Sequence, residues 1–460
     1  MTALHEKKRR SNSRQQGMAL IGMAFFIFVV LLGFLINQKS GADVEAERER
    51  VTARALAQAK EALIAYASDR PLETDPGTRP GDLLCPDMDN DGEAESNCGN
   101  VDGTTQQENR LGRLPWKTLS IPDLRDGYGE RLWYAVSNNF KNSTKRLPLN
   151  SDTPGTITLR SSSGAIMFDA STENGVVAVI ISAGPALQRQ GVGTAQMRTC
   201  DRLGVADSDC LTDDSCTNPD PRHTNKCNSL NYLDALSGVE DNAQFIDGSG
   251  VDGFINGPIK DASGNFIVND RILPITVDNI MLPVEKRVLL EVRVCLNAYA
   301  AITSNNSRYP WASASYPSYS DTTNQRFGRI PDEPFNNTRT SSSSTMSDFW
   351  APGCPFSSSS NWWHTNNWKE VIFYGVASAF EPASTVATSC GSCLQVSPPI
   401  AVNKKFVAIA AGRKLSGQNR ASNPDRGTIS NYLELQNSTP SDNIFQQGSA
   451  TTTFNDKVMY

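Results

Sequence analysis

VTARALAQAKEALIAYA, residues Val51–Ala67, recurs without a gap as VEKRVLLEVRVCLNAYA, residues Val284–Ala300, with seven of the 17 aligned positions identical. Both stretches read as helices. Val51, Leu56, Leu63 and Ile64 fall near helical spacing, with Glu and Arg on the opposite face. A likeness between two helices predicts nothing about the residues beyond them, yet here the downstream blocks recur in the same order. Tyr128–Phe140 (YGERLWYAVSNNF) corresponds to Trp368–Phe380 (WKEVIFYGVASAF), and Val177–Gly184 to Val407–Gly412. Asn231-Tyr-Leu-Asp234 returns as Asn431-Tyr-Leu-Glu434. Asp241-Asn242 with Phe245 returns as Asp442-Asn443 with Phe445, and Asn269–Leu273 as Asn455–Met459. Residues 43–277 and 284–460 therefore read as two copies of one module, with Ile280–Pro283 as a link.

In each copy the helix precedes short β-branched and aromatic runs bounded by Gly, Asn, Ser and Pro: RLWYAV, AIMF, VVAVII and VNDRILPIT, then VIFYGVA, KKFVAIAA and FNDKVM. No helix-length pattern separates them, so short antiparallel connections are expected rather than parallel crossovers.

Ahead of the first copy, Met18–Ile36 is uncharged and almost wholly apolar, 19 residues against the ~20 of a spanning helix. Lys7, Lys8, Arg9, Arg10 and Arg14 precede it, so the spacing and flank predict a single-pass anchor with a cytoplasmic N-terminus. The alternative is a removable signal cut near Ser40-Gly41-Ala42. Residues 1–16 carry a net +4 of the chain's -6, which leaves -10 on the body and no electrostatic reason to bind nucleic acid.

Arg14-Gln-Gln-Gly17-Met18-Ala-Leu20 resembles the N-terminus of type IV pilins and type II secretion pseudopilins: a short basic leader, a glycine, then an apolar helix. Leu84-Cys85-Pro86, Gly112-Arg-Leu-Pro-Trp116 and Asn269-Asp-Arg271 resemble motifs of large pilin-like proteins that place such a segment after an AKEALIAYA-type helix. The resemblance implies an α+β fold, with a long N-terminal transmembrane helix followed by two duplicated pilin-like lobes, each a helix packed on an antiparallel sheet. It implies a leader over 1–17, cleavage by a prepilin peptidase between Gly17 and Met18, and a transmembrane assembly helix over 18–42. It also implies other pilin or pseudopilin subunits as partners, and a place in the bacterial inner membrane with the body periplasmic, or in an extracellular pilus. Fibre-building members carry a glutamate five residues into the mature chain, where this chain has Gly22. That departure points to a minor subunit at the tip or in initiation. The other function class is a membrane-anchored adhesin or binding protein that enters no fibre.

Asp87-Met-Asp89-Asn-Asp91-Gly92 is the best ligand candidate. Alternating carboxylates bring three oxygens to one side of a loop, and the glycine permits the turn that wraps them round Ca²⁺. Cys98 stands where a calcium loop has its bidentate Glu, so Glu93 or Glu95 is the substitute. The competing reading is a solvated acidic turn closed by Cys85–Cys98.

Ten cysteines, in a part expected outside the cytoplasm, predict disulfides. Cys200, Cys210, Cys216 and Cys227 lie in an insertion near 191–230 that the second copy lacks; zinc, with His223, is the sharper alternative. Cys390-Gly-Ser-Cys393 has redox spacing in a strand setting, which favours a structural bond, and Cys295 and Cys354 pair with each other or with this couple. Trp362 and Trp363, in a segment of three tryptophans, are candidates for a surface binding face or for core. Three histidines and no nucleophile-elbow or phosphate-loop motif leave little from which to build an enzyme.

Overall fold

The computed structural model describes residues 21–29, 41–69, 79–99, 107–142, 148–191, 193, 195–198, 201–202, 205–206, 226–244, 252–313, 325–334, 346–347, 349–382, 389–391 and 393–460. Gly17 and Met18 lie outside these residues, as does most of the expected 18–42 helix.

Two expectations need correction. Among the described residues, no helix is long and apolar enough to cross a membrane. The described helical residues 21–29 span about 13 Å at 1.5 Å per residue, against the ~30 Å of a hydrocarbon core. The next helix, α1 (Gly41–Asp69), is longer but carries charges along its length. The single-pass inner-membrane placement is overturned by this finding. The expected fold class is overturned with it. The chain is a mixture of helices and many small sheets, and two of the sheets contain parallel pairs.

The strands that matter are β1 (Leu111–Arg113), β2 (Trp133–Val136), β3 (Ile157–Arg160), β4 (Ile166–Phe168), β5 (Ala178–Ser182), β6 (Asp252–Ile255) and β7 (Arg271–Ile275). After helix α2 (Val277–Ala301) come β8 (Phe327–Arg329), β9 (Ile372–Val376), β10 (Leu394–Ser397), β11 (Ala401–Lys404), β12 (Phe406–Ala410), β13 (Ile444–Gln446) and β14 (Lys457–Met459). Antiparallel sheets run in the orders β1-β2-β5-β7 and β8-β9-β12-β14, with matching registers: Leu111 opposite Ala135 in one, Phe327 opposite Gly375 in the other. Each half adds a three-stranded sheet in which one strand is parallel, β6 on β3 and β13 on β10.

Alternation explains the layers. In β2 and β5, Tyr134, Val136, Ala178 and Ile180 face the helices, while Trp133, Ala135, Val179 and Ile181 face a second core with Tyr232 and Phe254. A strand buried on both faces reads as a continuous apolar run, which is why VVAVII shows no alternation of polarity. On α1, Leu56, Ala59, Leu63 and Ala67 are buried at helical spacing. Helix α2 starts at a Thr276–Asn279 capping box and takes in residues 278–283, so the expected link is helical and Pro283 lies inside it. Both helices and both four-stranded sheets share one apolar core.

The repeated motifs are the buried polar scaffold of each half. Arg113 lies 4.1 Å over the Tyr232 ring with Arg198 on it at 4.7 Å; Arg329 and Arg420 do the same to Tyr432, each at 4.4 Å. Asp234 N–H donates to Asp270 and Asn269 N–H to Asp234; Glu434 N–H donates to Asp456 and Asn455 N–H to Glu434. One repeat reads differently from the sequence alignment. Asn242 donates to Asp270 Oδ2 and Asn437 to Asp456 Oδ2, so the partner of Asn242 is Asn437 rather than Asn443, and that of Phe445 is Phe254.

Candidate metal centre

Asp87 is fixed by a bridge to β1, its N–H donating to Arg113 O and its carbonyl accepting from Arg113 N–H at 3.0 and 2.7 Å. From that anchor the chain turns through Asn90 (φ 61°) and Gly92 (φ 90°). A Cβ on Gly92 would lie 2.7 Å from the Trp116 ring, so the turn packs where only glycine fits. The Cys85–Cys98 disulfide closes the base of the loop. Lys117 N–H donates to Gly92 O at 2.8 Å and Arg131 Nη1 to Asn90 O at 2.9 Å, fixing the tip to the body.

This folding brings Asp87, Asp89 and Asp91 together, with one carboxylate oxygen from each within 4.8 Å of the others. Local N–H groups take up part of their capacity: Gly92 N–H donates to Asp87 Oδ2 at 2.7 Å and Glu93 N–H to Asp91 Oδ1 at 2.6 Å. Asp87 is 1% exposed, and its Oδ1 has no hydrogen-bond partner. A buried carboxylate oxygen without a donor is destabilising unless a proton or a cation meets it. Burial, with the neighbouring charges of Asp89 and Asp91, pushes Asp87 up to about 7 against the opposing Gly92 N–H. Burial and Asp91 raise Asp89 as well. Three carboxylates, one of them with an orphaned oxygen, fit Ca²⁺, which takes carboxylates at flexible geometry. Asp87, Asp89 and Asp91 would hold the ion, and the ion would supply the positive charge that the cluster lacks.

Glu93 is exposed and stands outside the three-carboxylate group. Glu95 is half-buried, accepts from Met88 N–H at 3.4 Å, and has its carboxyl raised by burial and by Asp89. Of the two substitutes it is the one in the field of the cluster.

Cys85–Cys98, Cys295–Cys354 and Cys390–Cys393 are bonded. Cys227 is also disulfide-bonded, while Cys200, Cys210, Cys216 and His223 lie outside the described residues. Trp362 and Trp363 are corrected from a surface face to core: they are 3% and 0% exposed. Their rings meet edge to face 5.8 Å apart, and Phe356 sits 4.9 Å from Trp363. No protein-family model, curated protein or solved structure matches the chain.

Proposed function

We propose that the chain is a non-catalytic assembly subunit of the pilin kind, a minor pilin or pseudopilin of a type IV pilus or type II secretion pseudopilus, placed at the tip or in initiation. One observation carries the reading. Over residues 21–29 the helix is apolar all round, and Ile21, Met23, Phe25, Phe26 and Phe28 are each more than half exposed. A helix of that kind is stable in water only against other apolar surface, and the equivalent helices of neighbouring subunits supply it. Gly22 leaves this helix without the carboxylate expected of a fibre-building subunit, which supports a specialised position. Its partners are other pilin or pseudopilin subunits and a prepilin peptidase.

The acidic loop is assigned to Ca²⁺ as a structural ion of the first half, on the strength of the orphaned Asp87 Oδ1.

Mass spectrometry of the mature N-terminus tests the assembly reading. A methylated Met18 as first residue supports it. An intact Met1, or a start near Asp43, overturns it.

A further inference from the structure

The two halves differ at the outer strand pair of their four-stranded sheets. In the first, Leu111 pairs with Ala135, and the arginine before β1, Arg110, is wholly buried. In the second, Phe327 pairs with Gly375, and the equivalent Arg326 keeps 37% of its side-chain surface. A Cβ on Gly375 would come within 3.1 Å of Phe327, 3.2 Å of Val407 and 3.5 Å of Phe445. With that methyl absent and the guanidinium turned outward, a cavity of about 420 Å³ opens beside β8. That is the size of a site for a small organic molecule.

Its chemistry is two-sided. Phe327 and Phe445 stack 5.7 Å apart and form an aromatic floor with Val376. Arg326 is the one cation among the described lining residues. Its Nη1 donates to Asn443 Oδ1 at 3.1 Å, and its Nε stands 3.8 Å from Glu381 Oε2, so the planar group is held at the mouth. A planar guanidinium beside an apolar floor matches a planar carboxylate on an apolar body.

We infer that this cavity binds an organic carboxylate with an aromatic or bulky apolar body, the body on Phe327 and Phe445 and the carboxylate on Arg326. The ligand is a free acid or the last residue of a polypeptide; both offer the same chemistry. The inference is independent of the assembly reading.

The test is calorimetric titration of the full chain with N-acetyl-L-phenylalanine, its amide, and an acetylated hexapeptide ending in Phe with a free carboxylate. The acid should bind one-to-one, with the amide roughly tenfold weaker, as loss of a charge-assisted hydrogen bond requires. Arg326→Gln should reduce the acid to the affinity of the amide, and Gly375→Ala should remove binding of both. A hexapeptide at least tenfold tighter than the acid identifies a chain terminus as the ligand; equal or weaker binding identifies a free acid. Absence of saturable acid binding, equal binding of acid and amide, or unchanged affinity in Arg326→Gln overturns the inference. If Gly375→Ala melts early, the Arg326→Gln comparison still decides, because that side chain is partly exposed.

Discussion

Arg420 Nη1 donates to Asp152 Oδ1 at 2.6 Å, and this contact joins the two halves of the chain. The other bonds of Arg420, to Asn431 O, Gly412 O and Tyr432 O, repeat those of Arg198 to Asn231 O, Gly184 O and Tyr232 O. The anion differs. Arg198 faces Glu130 of its own half at 3.4 Å, whereas Arg420 takes its carboxylate from the first half. A scaffold that both halves possess is thus modified in the second so that it reaches the first.

Asp152 also accepts from Lys414 N–H at 3.1 Å, so removing it leaves a mostly buried guanidinium and a backbone donor short of a partner. Asp152→Ala should lower stability by about 2 kcal/mol, with a coupling to Arg420→Met of at least about 1 kcal/mol. A double-mutant cycle by urea denaturation measures both. Strict additivity would show that the pair does not hold the halves together.

Calcium should stabilise the folded chain, by about 2.7 kcal/mol at a hundredfold excess over its dissociation constant. The effect should vanish in Asp89→Ala, Asp91→Ala. Because Asp87 is pushed up to about 7, the metal-free protein holds an extra proton in the folded state below that pH. Its stability therefore falls as pH rises from the ordinary aspartate range towards 7, and calcium affinity rises over the same window as the competing proton leaves. Melting curves at pH 5 and 8, in calcium and in chelator, report all three effects; a chain indifferent to chelation at pH 8 has no such ion.

Glu285 on α2 is 1% exposed, and its Oε2 has no hydrogen-bond partner. Burial raises its carboxyl to about 8, against the opposing influences of Ser151 and Lys457. The neutral acid is the form that fits, so its contribution is full below the ordinary glutamate range and is lost as pH rises through 8. Glu285→Gln should keep the acid-side stability and gain on the order of 3 kcal/mol over the parent at pH 9. Urea titrations at pH 5 and 9 are decisive, and a variant that tracks the parent at both would refute the assignment.

Cys295–Cys354 ties α2 to a loop 59 residues away in sequence. Replacing both with alanine should cost about 4 kcal/mol by loop-closure entropy, more than opening the 13-residue Cys85–Cys98 loop, at about 3 kcal/mol. Paired unfolding midpoints test the ranking. The reverse order would show that strain or denatured-state structure outweighs chain length.

Much of the repeat is legible in the sequence, because Asn-Tyr-Leu-Asp/Glu and Asn-Asp are the donors and acceptors of a buried network that tolerates few alternatives. Alignment gives Asn242 the wrong partner for a related reason. Adjacent Asp-Asn letters recur at 241–242 and 442–443, but which asparagine reaches the buried Asp456 depends on loop length, and Asn437 is the one that does. The acidic triplet is equally legible; the choice of Glu95 over Glu93 is not, since burial decides it. Nothing in the sequence marks Arg326, Gly375 and Phe445 as a group, because they meet only across two sheets.

Local spacing of apolar side chains marked the helices over 51–67 and 284–300 and the strand runs, and the order of recurring blocks marked the repeat, but the same spacing read Ile280–Pro283 as a link where helix α2 runs. The tertiary structure decided the rest. It made strands distant in the chain lie parallel, fused two modules around one core, and turned Trp362 and Trp363 inward. These depend on which surfaces cover one another, and that information is held in contacts between distant residues rather than in any one stretch.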